Sequence, residues 1–370
     1  MQSDKTKYFI TGGGTGGHIY PAVAVADYLK EEGGNIIYYV GNPKNLEYDI
    51  VTQKGYEFLP VNVHGMPRKA CFELVKWGFQ LGFAVLKCMT YLLKYKPDVV
   101  FGTGGYVSAP VLIASKFLKV PFVMHDCDAN PGLVTRKLAP YASSVSLAFE
   151  CAENYINNEN CFINGNPIRA GFKTLTKSVA RKNLGLQDKT TICIMGGSQG
   201  AKSINIAAVG VLKTLSKKYN IQVIFQTGKK KFDTVEEHLS AAYPEYKSDK
   251  NLIVRPYFED MVTVLKASDI AVSRAGSLSI SELCASGIAT VFVPYPHAAA
   301  DHQRKNAQCM QESGAGIYLE DCDITSQKLL EILSDLLNNQ DKLVYLQNNA
   351  SKLAKYDAVS KIIKQLRDIS

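Results

Sequence analysis

The sequence predicts an α/β protein made of two parallel-sheet domains. Three observations carry that expectation. At 370 residues the chain is longer than a single hydrophobic core usually grows, about 250–300 residues. Strand-like and helix-like runs alternate from end to end, the rhythm of βαβ units. Two glycine-rich turns, half a chain apart, each join a strand-like run to an amphipathic one. The first is Gly12-Gly13-Gly14-Thr15-Gly16-Gly17-His18 after Tyr8–Thr11, with Pro21–Lys30 following. The second is Gly196-Gly197-Ser198-Gln199-Gly200 after Thr191–Met195, with Ile204–Lys218 following. Such strand–turn–helix units favour anionic groups at the helix start.

In the first half, Ile36–Val40, Val61–Val63, Val99–Phe101, Pro121–His125 and Ser144–Leu147 read as strands. Asn164-Gly165-Asn166-Pro167 is a strong turn cluster, and the domain boundary is placed there. In the second half, Gln222–Gln226, Leu252–Arg255, Ile270–Ser273 and Thr290–Val293 read as strands, and helices close the chain. The expected domains are residues 1–164 and 165–345.

Hydrophobic residues make up 46% of the chain, enough for a substantial core. The net charge of +8 suits an anionic ligand or an anionic membrane surface. The basic residues are scattered, with Lys229-Lys230-Lys231 the one tight run, so nucleic acid is not expected. Nine cysteines show neither a CxxC pair nor zinc spacing. With no signal-peptide pattern, this reads as a reducing cytoplasm and free thiols. No run reaches the ~18 apolar residues of a membrane-spanning helix.

Phe72–Tyr95 is more apolar than one helix face requires. It contains Trp77, Phe79 and Phe83 and is flanked by Arg68, Lys69, Lys76 and Lys87. One reading is a core helix. The other is an apolar patch with a basic rim that docks on an anionic inner leaflet.

Several residues suit chemistry. His18 follows the first glycine turn and is a candidate general base, or else a buried structural histidine. Ser198 sits in a plausible diphosphate cradle. Arg169 lies just past the Asn-Pro turn. Ser277–Glu282 follows a strand and opens a helix; Glu282 offers a carboxylate to a ribose diol, or else closes a capping box with Ser279. Gln303, in the run Pro294–Gln303, has the hydrogen-bond chemistry to read sugar hydroxyls. Asp126-x-Asp128 looks like a metal-binding DxD, but two glycine-rich domains describe a metal-independent architecture.

Seven ordered motifs identify a family. They are Gly12–Ala26, Gly102–Pro110, Gly165–Arg169, Gly196–Asn205, Tyr257–Met261, Ser273–Leu283 and Pro294–Ala307. The chain resembles the MurG family, the bacterial UDP-N-acetylglucosamine:lipid I N-acetylglucosaminyltransferases of peptidoglycan synthesis, over nearly its whole length. The resemblance implies the GT-B glycosyltransferase fold, with two Rossmann-like domains facing across a cleft. It implies an inverting transfer from UDP-GlcNAc to the 4-hydroxyl of lipid I, giving lipid II, with no obligatory metal or cofactor.

By motif, His18 matches the base. Thr15, Gly16 and Gly17 lie near the diphosphate and acceptor, with Gly14, Tyr106 and Asn130 on the acceptor side. Arg169 and Ser198 match donor contacts, and Phe258 and Met261 match the uracil wall. Ser277, Leu278, Ser279, Ile280, Ser281 and Glu282 match the phosphate–ribose segment, and Gln303 the sugar reader. The resemblance further implies a peripheral position on the cytoplasmic face of the plasma membrane, contacts with cell-wall synthesis and division proteins, and a C-terminal helix, about 346–370, packing back on the first domain.

One departure stands out. Where the family carries HEQN, this chain has His125-Asp126-Cys127-Asp128. Asp128, expected at a donor contact, accepts hydrogen bonds but cannot donate as an amide does; either it meets hydroxyls or Asn130 replaces it. Two other functions fit the domain pattern: a related transferase acting on another lipid such as diacylglycerol, and a non-enzymatic sugar-nucleotide binder. The second has no need of a base at His18.

Overall fold

The computed structural model describes residues 5–67 and 72–370. Arg68 and Lys69 of the expected basic rim lie outside the described residues. The chain divides into two compact units, Met1–Pro167 with Asp357–Ser370, and Ile168–Tyr356.

The first unit runs β1 (Lys7–Thr11), α1 (Gly16–Glu31), β2 (Ile36–Gly41), α2 (Leu46–Gln53), β3 (Glu57–Pro60), α3 (Phe72–Tyr95), β4 (Val99–Gly102), α4 (Gly105–Leu118), β5 (Phe122–Asp126), α5 (Leu133–Leu138), β6 (Ser144–Leu147) and β7 (Cys161–Ile163). Its seven strands lie in the order β3-β2-β1-β4-β5-β6-β7, with every pair parallel. Strands such as Val99-Val100-Phe101 are apolar on both faces because helices cover both. The expected strand at Val61–Val63 falls earlier, at Glu57–Pro60; only the Val61 N–H continues the ladder, donating to Gly41 O at 2.8 Å.

The second unit runs α6 (Lys177–Asn183), β8 (Thr190–Met195), α7 (Lys202–Lys218), β9 (Ile221–Gln226), α8 (Phe232–Ala242), β10 (Leu252–Arg255), α9 (Met261–Ala267), β11 (Ile270–Ser273), α10 (Ser277–Ser286), β12 (Ala289–Phe292), α11 (His302–Glu312), β13 (Gly316–Tyr318), α12 (Ser326–Asn338) and α13 (Gln340–Lys352). Its sheet order is β10-β9-β8-β11-β12-β13, again parallel. Each sheet therefore reverses its strand order once, at β1/β4 and at β8/β11, and ligands of such sheets bind at the carboxyl ends of those strands.

The helix that returns to the first unit is shorter than expected. Leu343 and Leu346 of α13 are buried in the second unit's core. Only α14 (Ala358–Arg367) joins the first, where Ile362, Ile363 and Leu366 pack with Ile19, Val23 and Leu29 of α1. Gln365 fixes its seat: its amide donates to Ser144 Oγ at 2.5 Å and its carbonyl accepts from Asn164 Nδ2 at 2.7 Å. Cys88, Cys161, Cys193, Cys284 and Cys322 are free thiols.

Helix α3 has one buried and one exposed face. Ala84, Val85, Cys88 and Leu92 are buried. The opposite face carries Phe72, Val75, Phe79, Phe83 and Leu86, with Phe79 67% and Phe83 71% exposed. Val75, Gly78, Phe79, Gly82, Phe83 and Leu86 line a shallow groove of about 430 Å³. Trp77 does not share that exposure. It is half-buried, and its indole N–H donates to His64 O at 2.8 Å.

Candidate active site

In the first unit, the Gly12–Gly17 turn leaves β1 beside the Gly102–Gly105 turn that leaves β4, at the point where strand order reverses. The backbones approach closely: a Cβ on Gly12 would lie 1.9 Å from Thr103 Oγ1. Gly14 adopts φ +83°, open to glycine at little cost. Its N–H is not directed at solvent. It donates to Glu47 Oε2 at 3.1 Å. Glu47 is fully buried in the first turn of α2 and also accepts from Asn42 N and Asn45 Nδ2. Asn45 Nδ2 donates in turn to Tyr106 OH at 2.9 Å, and the Tyr106 ring lies against Gly14. The Gly14 N–H of this turn is thus taken up by a side-chain carboxyl of α2. Nothing in the spacing of Glu47 links it to Gly14, so sequence reasoning missed it.

His18 is half-buried at the start of α1. Its Nδ1 is 3.1 Å from Thr15 Oγ1, and its carbonyl accepts from Thr103 Oγ1 at 2.6 Å. Its ring lies against Gly104 and Gly105, both at positive φ; a Cβ on Gly105 would stand 3.2 Å from Nδ1. Gly16 and Gly17 are half-buried and Thr15 is exposed.

Strand β5 delivers the third segment. His125 is fully buried between Ser146 Oγ, 3.0 Å from Nδ1, and Asn166 Oδ1, 3.1 Å from Nε2. Burial pulls its pKa down to about 4, so it is neutral and structural. Asp126 is buried, which raises its pKa, and the neighbouring Asp128 charge raises it further. Its two oxygens accept the N–H groups of Asp128 and Gly132 at 3.1 and 3.0 Å, shaping the loop. Asp126 is therefore a loop brace rather than half of a DxD pair. The loop brings Cys127 and Asp128 to His18; side-chain ligand atoms of the three lie within 4.8 Å of one another. Asn130 is engaged otherwise, its carbonyl oxygen accepting from Arg136 Nη2.

In the second unit, the Gly196–Gly200 turn and the Arg274–Gly276 segment leave β8 and β11 at the second switch point. Gly197 and Gly200 have positive φ, and Ser198 is exposed between them. Gln226, at the end of β9, ties this turn to the next loop: its Nε2 donates to Gly197 O at 3.3 Å and its Oε1 accepts Phe258 N–H at 2.9 Å. A buried glutamine ending a strand is the signal that could have exposed this tie. Phe258 and Met261, matched to the uracil wall, are buried, 4% and 7% exposed.

Helix α10 begins at Ser277 with Gly276 as N-cap and no side-chain cap. Ser279 lies inside the helix, which removes the capping-box reading of Glu282. Ile280 is buried in the core and Ser281 Oγ bonds back to Ser277 O at 3.0 Å. The first intrahelical N–H is that of Ile280, to Gly276 O, so the N–H groups of Ser277, Leu278 and Ser279 are the open donors of this terminus. Glu282 Oε1 is 3.4 Å from Arg169 Nε, with the glutamate side chain 12% exposed and the arginine 51%. Burial raises the Glu282 pKa and Arg169 opposes that. Gln303 Oε1 accepts Tyr295 N–H at 3.0 Å, closing the loop before α11.

Comparison with known proteins agrees with this two-unit arrangement. Residues 8–147 match the glycosyltransferase family 28 N-terminal domain, and residues 191–366 its C-terminal domain. A relative in Thermoanaerobacter sp. (strain X514) is 36% identical, covering 98% of this chain and all of its own. One in Lactococcus lactis subsp. cremoris (strain MG1363) is 34% identical over 98% of this chain and 99% of its own. Both are named UDP-N-acetylglucosamine–N-acetylmuramyl-(pentapeptide) pyrophosphoryl-undecaprenol N-acetylglucosamine transferase. The crystal structure of Acinetobacter baumannii MurG is similar with a TM-score of 0.81 and 25% identity, covering 98% of this chain and 99% of that one. A putative UDP-N-acetylglucosamine 2-epimerase from Listeria monocytogenes, 11% identical with a TM-score of 0.68, shares the fold alone. With two parallel-sheet units, a glycine turn at each switch point and both domain models matched in order, the chain belongs to glycosyltransferase family 28 and has the GT-B fold.

Proposed function

We propose that this chain transfers N-acetylglucosamine from UDP-GlcNAc to the 4-hydroxyl of the N-acetylmuramoyl sugar of lipid I, forming lipid II for peptidoglycan. The observation that carries the reading is the end-to-end similarity to transferases of that name, at 34–36% identity over nearly the whole chain. The acceptor oxygen attacks the anomeric carbon opposite UDP, the bond to the diphosphate breaks, and configuration inverts. His18 takes the acceptor proton. In the tautomer that donates Nδ1–H to Thr15, the lone pair sits on Nε2, where a base needs it.

On the donor side, Glu282 accepts from the ribose diol, and Arg169 favours its charged form against the pull of burial. Ser198, the N–H groups at the start of α10 and the helix dipole receive the leaving diphosphate. Gln303 and Asp128 read sugar hydroxyls. Thr15, Gly16 and Gly17 border the reacting groups, and Gly14 and Tyr106 shape the acceptor side through Glu47.

The exposed face of α3 docks the chain on the anionic cytoplasmic leaflet, where lipid I resides. Two facts support this: Phe79 and Phe83 point outward, and no helix among the described residues is long and apolar enough to cross a membrane. UDP release from UDP-GlcNAc with a soluble lipid I analogue tests the function. Turnover with that analogue and none with diacylglycerol is expected; the reverse would assign the chain to a different lipid acceptor.

A further inference from the structure

Among the described residues, His18, Cys127 and Asp128 place an imidazole, a thiol and a carboxylate within 4.8 Å of one another. Cys127 Sγ and Asp128 Oδ2 are 3.7 Å apart. Zinc bonds of about 2.0–2.3 Å in tetrahedral geometry set neighbouring ligands about 3.5 Å apart, so this pair already has the required spacing. We propose that these three side chains bind one borderline-soft divalent metal ion, of which Zn²⁺ is the natural example. The fourth position is open to water or a substrate oxygen.

The backbone holds the ligands in place for this. Asp126 accepts Asp128 N–H and Gly132 N–H, which fixes the loop. Asn166 Nδ2 donates to Cys127 O at 3.2 Å, and Asn166 is itself anchored on the buried His125. Thr15 Oγ1 lies 3.1 Å from His18 Nδ1 and orients the ring, as the outer-shell partners of metal-bound histidines do. Gly17 borders the sulfur without a side chain: a Cβ there would stand 3.9 Å from it. The mixed nitrogen, sulfur and oxygen set favours zinc or cobalt over magnesium, which takes oxygen ligands. Binding displaces the thiol proton, which in the metal-free protein is shared with Asp128.

One consequence rests on His18 being the base: an ion on its imidazole occupies the lone pair that takes the proton, so zinc would inhibit transfer and a chelator would restore it. The binding test does not depend on that reading. Cobalt(II) is titrated into the reduced full-length chain carrying Cys322→Ser, which removes an exposed competing thiol. One equivalent is expected to produce a thiolate-to-cobalt charge-transfer band, and zinc to abolish it. Adding Cys127→Ser should remove the band and weaken cobalt binding by at least about tenfold, with melting temperature and UDP binding unchanged. No band in the parent, or a band that survives Cys127→Ser, overturns the site. Should the band appear while His18→Ala retains full turnover, the metal site stands and the base assignment fails.

Discussion

Arg169 Nε stands 3.4 Å from Glu282 Oε1, pairing an exposed cation with a carboxylate that burial pushes toward its neutral form. Arg169 favours the charged form of that carboxylate, which in the proposed reaction accepts from a ribose diol. Glu282→Ala is expected to weaken UDP binding by about 1.5–3 kcal/mol, the range for a hydrogen bond to a charged group. Calorimetry with UDP measures it, and unchanged affinity would end the ribose assignment.

The same burial predicts a divergence of stability from function. A carboxyl whose pKa is raised on folding destabilises the native state as pH rises, because the unfolded chain ionises first. Glu282→Gln should therefore melt no lower than the parent at neutral pH and yet bind UDP more weakly. A lower melting temperature for Glu282→Gln would show that the ion pair outweighs the desolvation.

His18→Ala should lower turnover by about 10²–10⁴-fold with UDP affinity nearly constant. Thr15→Val, which keeps shape but removes the oxygen facing Nδ1, should produce a smaller loss in turnover. Steady-state rates at saturating donor separate the two.

Buried, neutral His125 makes the first unit acid-sensitive. Its pKa is about 4 when folded, whereas a free histidine titrates near about 6.5. As pH falls below that value the unfolded chain takes up a proton that the native chain refuses, so stability drops until the native histidine also protonates near pH 4. Melting temperatures across that window should fall, and fall less in His125→Asn if the variant folds.

On α3, exposure separates docking from packing. Phe79→Ser with Phe83→Ser should reduce binding to anionic vesicles while leaving the melting curve in place, since both side chains face outward. Trp77→Ala should instead lower the melting temperature, because it breaks the bond to His64 O. Vesicle binding undiminished in the double variant would remove this face as the docking surface.

The alternation of apolar runs and glycine turns made the two sheets legible, because parallel strands buried on both faces read as continuous Val/Ile-rich segments. Val61–Val63 misled for the same reason: apolar residues mark burial, and Val61 and Val63 are buried in a loop past the strand end. The His18 turn and the Ser277–Glu282 helix start were readable as local chemistry. The contacts that hold them were not. Glu47 to Gly14, Gln226 to Phe258 and Cys127 to His18 each join segments far apart in sequence, with partners set by strand order. Trp77 was misplaced because periodicity assigns a helix face but does not reveal a loop carbonyl waiting above it.

The return of α14 to the first unit bears on how the chain matures. Ile362, Ile363 and Leu366 complete a core whose other members lie between Tyr8 and Val123. During synthesis the amino-terminal sheet is made long before the helix that completes its core. The second unit, continuous from Ile168 to Tyr356, is synthesised between the two parts of the first. The first unit is thus completed only after the second has been made, and until α14 is in place α1 presents an open apolar seam to chaperones and proteases.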